Sequence, residues 1–327
     1  MTGDGHLPVV RLAPAKLNLT LSVGKLRPDG YHDLHSVMVP LGLADRLTVA
    51  RAAGQSDSLH VVGPDGPQPA APDDLVLRAI VEARRAAGRA VEAFALAARL
   101  DKRIPIAAGL GGGSSDAAAA IEAALEAWAA GPVLGVEDRV RLAMSVGSDV
   151  PFFLMRGPAL VEGRGDRLTP LRGPLGAPVG VVVVTPRDGV SPPEAFRRLD
   201  AGGVAAPADP RSTRVTSEHV AAELRAGLRA ADLVARAGVL ATANDLLPAA
   251  VALVPDLRSF RRAVARRLGR PVGQSGSGPT LWALYPSATE AEAAAAQLER
   301  LVTAGDLDAP GDRPPRIHAT SIVGPDS

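Results

Sequence analysis

The chain carries a glycine-rich junction, Pro105-Ile106-Ala107-Ala108-Gly109-Leu110-Gly111-Gly112-Gly113-Ser114-Ser115-Asp116, which leads directly into an alanine-rich run that ends near Ala130. Three consecutive glycines let backbone N–H groups approach a ligand closely, and a helix that starts at once aims the positive end of its dipole at the same point. Polyphosphate is the natural occupant of such a junction. The sequence therefore predicts a phosphate-binding loop over residues 105–115, with a purely structural turn as the alternative.

This junction differs from the two commonest phosphate loops. The P-loop ends in Gly-Lys-Ser/Thr, and no lysine follows the glycines here. The dinucleotide pattern G-x-G-x-x-G, started at Gly109, requires glycine at a position occupied by Ser114. The remaining choice is between a phosphate loop of a third kind and a structural turn.

The segment Leu17–Val23 alternates apolar and polar residues and predicts the first strand, with Lys16 and Asn18 on its polar face. Lysine occurs only at positions 16, 25 and 102, so 33 of the 36 basic residues are arginine. Arginine serves equally well on a surface, but it does not replace a compact ammonium in a tight site. Lys16 is thus either a site lysine or a solvated surface lysine, and Lys25 and Lys102 lie in no comparable motif.

Asp149 lies in Ser148-Asp149-Val150-Pro151, between a predicted helix over Glu137–Val146 and an apolar run, Phe152-Phe153-Leu154, that we interpret as a strand. A turn aspartate commonly hydrogen-bonds its own backbone. The functional alternative is a carboxylate that accepts the proton of a substrate hydroxyl during phosphoryl transfer, kept ionised by an adjacent ammonium. The sequence leaves open whether Lys16 supplies that ammonium.

Two further turns are candidates for ligand contact. Ser275-Gly276-Ser277-Gly278 is either a second phosphate- or substrate-facing turn or a simple connection. Tyr31 and His32 follow an Asp-Gly turn, where the histidine either contacts a ligand or is incidental. His and carboxylate residues do not cluster at metal-ligand spacing, so we expect no dedicated metal site, and any Mg²⁺ would arrive with a nucleotide.

Composition bounds the fold and the partners. A chain of 327 residues, 46% hydrophobic, is long enough for two lobes, and its strand and helix patterns predict an α+β fold with domains at 1–170 and 171–327. The net charge of +1 and 3% aromatic content give no reason to expect nucleic acid or an anionic membrane as partner. Absence of cysteine, of a long apolar run and of a signal-peptide pattern favours a cytoplasmic location. Both a monomer and a homodimer remain open.

Three motifs occur together, in a fixed order: Pro14-Ala15-Lys16-Leu17-Asn18-Leu19, the junction at 105–116, and the turn at 273–279. Asp29-Gly30-Tyr31-His32 and Gly147-Ser148-Asp149-Val150-Pro151-Phe152-Phe153 accompany them. In this combination the chain resembles the GHMP kinase superfamily over nearly its whole length, and within it the 4-diphosphocytidyl-2-C-methyl-D-erythritol kinase branch.

The resemblance implies a two-lobed α+β kinase fold, with a left-handed βαβ unit in the amino-terminal ATP-binding lobe and a ferredoxin-like carboxy-terminal lobe. It implies ATP phosphates on residues 105–115 and catalytic roles for Asp149, as base, and Lys16, as its partner. The substrate side would take Asn18, Tyr31, His32, Phe196, Ser275 and Gly276. The implied reaction moves the γ-phosphoryl group of ATP to the 2-hydroxyl of a cytidine diphosphate methylerythritol, in the non-mevalonate route to isopentenyl diphosphate.

Two segments depart from the family pattern, and the second, Asn244-Asp245-Leu246-Leu247 in place of Asn-Asp-Leu-Glu, is expected to affect packing only. Where the family often has Ser-Thr-Ala-Glu-Ala-Tyr, this chain has Ser191-Pro192-Pro193-Glu194-Ala195-Phe196. Phe196 still offers a ring for stacking, but Pro192 lacks both a hydroxyl and a backbone donor. A related kinase for a different alcohol, such as homoserine or mevalonate, and a catalytically silent nucleotide-binding regulator are the two alternatives.

Overall fold

The computed structural model describes residues 7–69, 73–88, 94–131, 134–202 and 211–324, and it is an α+β structure as predicted. The strands are β1 (Val9–Asn18), β2 (Ser22–Leu26), β3 (His32–Arg51), β4 (Ser58–Gly63), β5 (Gly66–Gln68), β6 (Leu96–Asp101), β7 (Ala159–Gly163), β8 (Arg167–Pro170), β9 (Gly180–Thr185), β10 (Gly273–Gln274), β11 (Leu281–Tyr285) and β12 (Arg316–Ser321). The helices are α1 (Leu75–Ala87), α2 (Gly112–Ala127), α3 (Val136–Val146), α4 (Val150–Leu154), α5 (Pro192–Asp200), α6 (Ser212–Ala226), α7 (Ala230–Ala235), α8 (Ala237–Leu240), α9 (Leu247–Leu253), α10 (Leu257–Leu268) and α11 (Ala288–Thr303).

Contacts divide the chain into two compact units that are discontinuous in sequence. The first contains Met1–Ala15, Ala44–Ile104 and Gly111–Leu154. The second contains Lys16–Leu43, Pro105–Leu110 and Met155–Ser327. Strand β3 therefore contributes to both units, and the division into two domains at residue 170 stays a prediction.

The first unit is built on a βαβ arrangement. Strand β4 pairs in parallel with β6, and α1 lies between them in the chain. Asp74 caps α1 by accepting the N–H of Val76 over 2.8 Å. The buried stripe of α1 packs on α2, whose alanines allow close approach of the two helices. The βαβ unit is thus present, and its left hand stays a prediction.

The second unit contains a four-stranded antiparallel sheet in the order β10-β11-β9-β12. Strand β9 is buried along its whole length, which explains its run of valines. Leu257 and Phe260 of α10 and Leu298 of α11 pack into the same apolar core as the sheet. This sheet with its helices is the carboxy-terminal α+β half that the strand and helix patterns predicted.

Two local predictions were wrong. The run Phe152-Phe153-Leu154 belongs to helix α4 rather than to a strand, since Pro151 lies in the first helical turn, where its missing N–H is tolerated. The predicted strand over Leu17–Val23 is interrupted, because β1 ends at Asn18 and β2 begins at Ser22. Asp149 consequently precedes a short helix.

Candidate active site

Residues 105–110 belong to the second unit and contain two left-handed backbone positions, Ala107 with φ 52° and Gly109 with φ 75°. A Cβ at Gly109 would lie 2.3 Å from the backbone oxygen of Ser275, so only glycine allows the two segments to meet. Ile106 is 67% exposed. This half of the predicted phosphate loop is therefore held in place at Gly109 and open at Ile106.

Residues 111–115 belong to the first unit and start helix α2. Gly111 caps the helix with φ 70°, and, as a glycine, it supplies no side-chain acceptor to the first N–H groups of the helix. Ser115, in the first turn, is 1% exposed, and its hydroxyl has no hydrogen-bond partner among the described residues. A helix start with these properties is suited to an anion.

Lys16 is buried, with 4% of its surface exposed, so the surface-lysine interpretation is wrong. Its Nζ donates to Oδ1 of Asn18 over 2.5 Å, and its backbone N–H donates to the carbonyl of Leu110 over 2.9 Å. A Cβ at Gly276 would come within 3.0 Å of Nζ. The ammonium is thus held on the strand, against the second glycine turn.

Buried hydroxyl groups hold Asn18 in place. Its Nδ2 donates to Oγ of Ser36 over 2.8 Å, and Ser36 donates to the carbonyl of Thr20 over 2.6 Å. The hydroxyl of Thr20 donates to Ser217 over 2.8 Å, and Nδ1 of His35 lies 2.8 Å from the same Ser217 oxygen. Burial lowers the pKa of His35. Because both ends of the amide are occupied, the orientation of Asn18 is fixed, and with it the position of Nζ of Lys16.

The second glycine turn is fixed by two side chains. Oγ of Ser275 donates to the carbonyl of Gly109 over 3.0 Å. Nδ2 of Asn244 donates to the carbonyls of Gln274 and Gly276, each over 3.0 Å. Gly276 itself has φ 55°, in the left-handed region that favours glycine. The structure therefore brings Ser275 and Gly276 against the 105–110 segment.

A second group of predicted residues forms an aromatic pair. The rings of His32 and Phe196 are stacked with centroids 5.4 Å apart and planes 19° apart. Nδ1 of His32 lies 2.9 Å from the carbonyl of Gly24, and Nε2 lies 3.1 Å from a carboxylate oxygen of Asp200. Tyr31 is 52% exposed. The pair thus joins a buried imidazole, with polar groups at both ring nitrogens, to a partly exposed phenyl ring, and its role in holding a nucleobase stays a prediction.

Pro192 does not disturb this arrangement. It is the first residue of α5, the helix that carries Phe196 and Asp200 one turn apart. A proline at this position loses no helical hydrogen bond, because the first N–H groups of a helix have no partner within it. The departure from the family pattern therefore leaves the helix intact.

Asp149 lies in the first unit, in the turn between α3 and α4, and is half-buried. The preceding helix α3 ends at Gly147, whose N–H donates to the carbonyl of Ala143. Asp149 thus has a defined backbone position and partial access to solvent. Its role as a base stays a prediction.

The supporting residues Asn244, Ser36, Thr20, Ser217 and Asp200 were missed by sequence reasoning. Thr20 and Ser217 are 197 positions apart, and no motif links them. Asn244 offered a partial signal, an Asn-Asp pair just before a helix. The hydroxyl groups carry no recognisable pattern, because a sequence does not distinguish a buried, hydrogen-bonded serine from an exposed one.

Two other features, a metal site built from side chains and a membrane-spanning helix, are absent from the described residues. Within the described ranges, no three His, Cys, Asp or Glu side chains are placed to hold a metal ion together. In the same part of the chain, no helix combines the length and apolar character that crossing a bilayer demands.

One part of the chain matches a known protein-family model. The model of the GHMP kinases N terminal domain matches residues 74–157, which include α1, α2 and Asp149. Among solved structures, homoserine kinase from Cytophaga hutchinsonii has a TM-score of 0.67 at 18% identity, covering 98% of this chain and 96% of its own. The mevalonate kinase of Methanococcus jannaschii has a TM-score of 0.65 at 13% identity, covering 99% and 100%. At these identities the likeness concerns the fold alone.

Closer relatives cover most of the chain. The 4-diphosphocytidyl-2-C-methyl-D-erythritol kinases of Anaeromyxobacter dehalogenans and Deinococcus radiodurans are 37% and 40% identical, each over 89% of this chain and over 85% and 89% of their own lengths. A crystal structure of 4-(cytidine 5'-diphospho)-2C-methyl-D-erythritol kinase is 34% identical with a TM-score of 0.68, covering 97% of this chain and 100% of its own. The chain therefore belongs to the 4-diphosphocytidyl-2-C-methyl-D-erythritol kinase family of the GHMP kinases.

Proposed function

We propose that this protein phosphorylates the 2-hydroxyl of 4-(cytidine 5'-diphospho)-2-C-methyl-D-erythritol with ATP, in the non-mevalonate route to isopentenyl diphosphate. The observation that carries the proposal is identity of 37–40% to kinases of that name over 89% of the chain. The glycine loop, the buried Lys16 and the His32–Phe196 pair support it, because they supply the phosphate, hydroxyl and base contacts that this substrate needs.

In this proposal the ATP phosphates lie against residues 105–115 and the start of α2. Asp149 takes the proton of the 2-hydroxyl, the freed oxygen forms a bond to the γ-phosphorus, and the bond from that phosphorus to the β,γ-bridging oxygen breaks to release ADP. Lys16 supplies a fixed positive charge for the reacting oxygens. The hydrogen bond to Asn18 fixes the position of this ammonium, whereas a lysine in solvent would be flexible.

Mg²⁺ would accompany the nucleotide. The residues at the start of α2 fit such an ion, because the Ser115 hydroxyl is buried without a protein hydrogen-bond partner among the described residues and is an oxygen ligand of the kind Mg²⁺ takes. The ion would neutralise phosphate charge there. A few protein ligands suffice, since Mg²⁺ keeps several waters and binds the phosphates directly.

On the substrate side, Tyr31, His32 and Phe196 would hold the cytidine, while Asn18, Ser275 and Gly276 would face the alcohol. Asn18 also acts through Lys16, because its Oδ1 accepts a hydrogen bond from the ammonium. A cytoplasmic location and a small-molecule partner complete the proposal, and the lack of cysteine fits a reducing compartment.

The test is a substrate panel with ATP and the purified full-length protein. We expect turnover of the cytidine diphosphate compound and none of mevalonate or homoserine. Asp149→Asn should lose at least about a hundredfold in kcat, in the range of general-base contributions. Full activity of this variant would exclude Asp149 as an obligatory base, and turnover of mevalonate alone would replace the proposed substrate.

Lys16→Arg tests the point-donor role separately. The guanidinium is larger and planar, and the space beside Gly276 and Asn18 is fitted to a compact ammonium. We expect a clear loss of kcat in a protein that remains folded, as shown by an unchanged circular dichroism spectrum.

The wild-type protein tests the remaining alternative. ATP binding without turnover of any alcohol would favour a silent nucleotide-binding regulator.

A further inference from the structure

A buried cluster of three charges lies in the first unit, outside the residues assigned so far. Nζ of Lys102 lies 2.5 Å from Oδ2 of Asp45 and 2.6 Å from Oδ2 of Asp116. The three side chains are 8%, 0% and 4% exposed. Buried ion pairs are often no more stabilising than apolar side chains of the same volume. Stability alone therefore gives little reason for this chain to keep one of its three lysines here.

The cluster joins the start of α2 to the strands beside it. Asp116 is the fifth residue of α2, and a Cβ at Gly112, the first, would lie 3.3 Å from Nζ of Lys102. The other oxygen of Asp45, a residue of β3, accepts the backbone N–H groups of Arg103 and Ile104 over 2.5 and 2.8 Å. One ammonium thus connects β3, the segment after β6 and the first turn and a half of α2.

We propose that Lys102 is a positioning residue which, through Asp45 and Asp116, fixes the first turns of α2 and so aims their N–H groups at the ATP phosphates. The inference rests on the proposed function in one respect, namely that ATP phosphates bind at the start of α2.

The test measures binding of a non-hydrolysable ATP analogue by calorimetry, together with KM for ATP and for the cytidine substrate. Lys102→Met leaves two facing carboxylates, so Lys102→Met/Asp116→Asn is made in parallel to keep the interior charge at that of Asp45 alone. We expect both variants to bind the analogue at least about tenfold more weakly, with KM for the cytidine substrate within about twofold of wild type. Lys25→Met, at an exposed lysine of β2, is the matched control and should change neither constant.

The outcomes are separable. Equal analogue binding by wild type and the double variant, or an equal rise of both KM values with a lowered Tm, would show that Lys102 only stabilises the fold. Analogue binding by wild type without turnover of the cytidine compound would overturn the proposed function and leave the positioning role of Lys102 standing.

Discussion

Lys16 illustrates how the environment of a residue is set by neighbours distant in sequence. Its ammonium is held by Asn18, and the adjoining Gly276 has no side chain that would displace it. Asn18 in turn is held by Ser36. A lysine in solvent samples many rotamers, whereas this one is confined before any ligand arrives, which lowers the entropic penalty of placing its charge.

Gly276→Ala should remove most activity. A Cβ would lie 2.9 Å from the carbonyl of Gly109 and 3.0 Å from Nζ of Lys16, so either the turn or the ammonium must move. We expect kcat/KM to fall by about a hundredfold, as for a displacement of about 1 Å at a reacting group. Steady-state kinetics with the cytidine substrate checks this.

Gly269→Ala is the matched control for that substitution. Gly269 also has a left-handed backbone, with φ 62°, but a Cβ there meets nothing within 4 Å. Both variants lose about 1 to 2 kcal/mol from the left-handed strain, while only Gly276→Ala moves Lys16. Similar activity losses in the two variants would contradict the argument.

The residues that sequence analysis identified are those with an unusual type or spacing. Lys16 was conspicuous because the chain otherwise uses arginine, and the glycines because only they allow a left-handed turn. Ser217 and Asn244 were not identifiable, since their importance depends on contacts with β1 and the second glycine turn that only the folded chain creates. Lys102 had the same unusual type as Lys16, but its two carboxylate partners lie far apart in sequence.

At the scale of elements, the helices with a clear period and cap were predictable, and short segments were not. The cap Asp74 and the apolar spacing of α1 are both visible in the sequence and favour a helix there. Five residues, Val150–Leu154, are too few to show a period, and their aromatic content favoured a strand. Their position after the turn at Asp149 made them helical.

Helix α2 should give the protein a characteristic dependence of stability on pH. The pKa of Asp116 is raised in the folded protein to about 7 from an ordinary 3.8, so the native state binds this proton more tightly than the unfolded chain. Its contribution to the free energy of unfolding is fully present below about pH 4 and is lost as pH rises toward 7. Between these values Tm should decline relative to Asp116→Asn, measured by differential scanning calorimetry. A constant difference in Tm across this range would show that Asp116 does not titrate in the folded protein.

Helix α5 should control affinity for the cytidine substrate without affecting ATP. Phe196→Ala removes the ring that the proposed function places against the cytosine, and an aromatic contact of about 1 kcal/mol corresponds to a rise of about fivefold in KM for the cytidine substrate. Pro192→Ala on the same helix is the control and should leave KM unchanged, because the N–H that it restores is not needed at the first helical position. An equal rise of KM for ATP in Phe196→Ala would mean that the helix acts on the whole site.

At the scale of the whole molecule, the nearly balanced charge of +1 means that recognition depends on local groups rather than on a general field. In the proposed function the residues assigned to ATP and to the cytidine substrate are different sets, and neither site exists in the unfolded chain. A ligand present at about a hundred times its Kd stabilises the native state by about 2.7 kcal/mol, which corresponds to a rise in Tm of a few degrees. Selectivity is therefore measurable without turnover.

A thermal-shift panel should separate the candidate functions by binding alone. We expect a non-hydrolysable ATP analogue and the cytidine diphosphate compound each to raise Tm, and mevalonate and homoserine to leave it unchanged, because neither small acid has a base for the His32–Phe196 pair. In Phe196→Ala the shift with the cytidine compound should shrink while the shift with the ATP analogue persists. Stabilisation by mevalonate or homoserine in place of the cytidine compound would assign the site to another alcohol, since fold similarity to those kinases at 13–18% identity leaves the substrate undetermined. A shift with the analogue alone, combined with no turnover, would be the signature of a nucleotide-binding regulator.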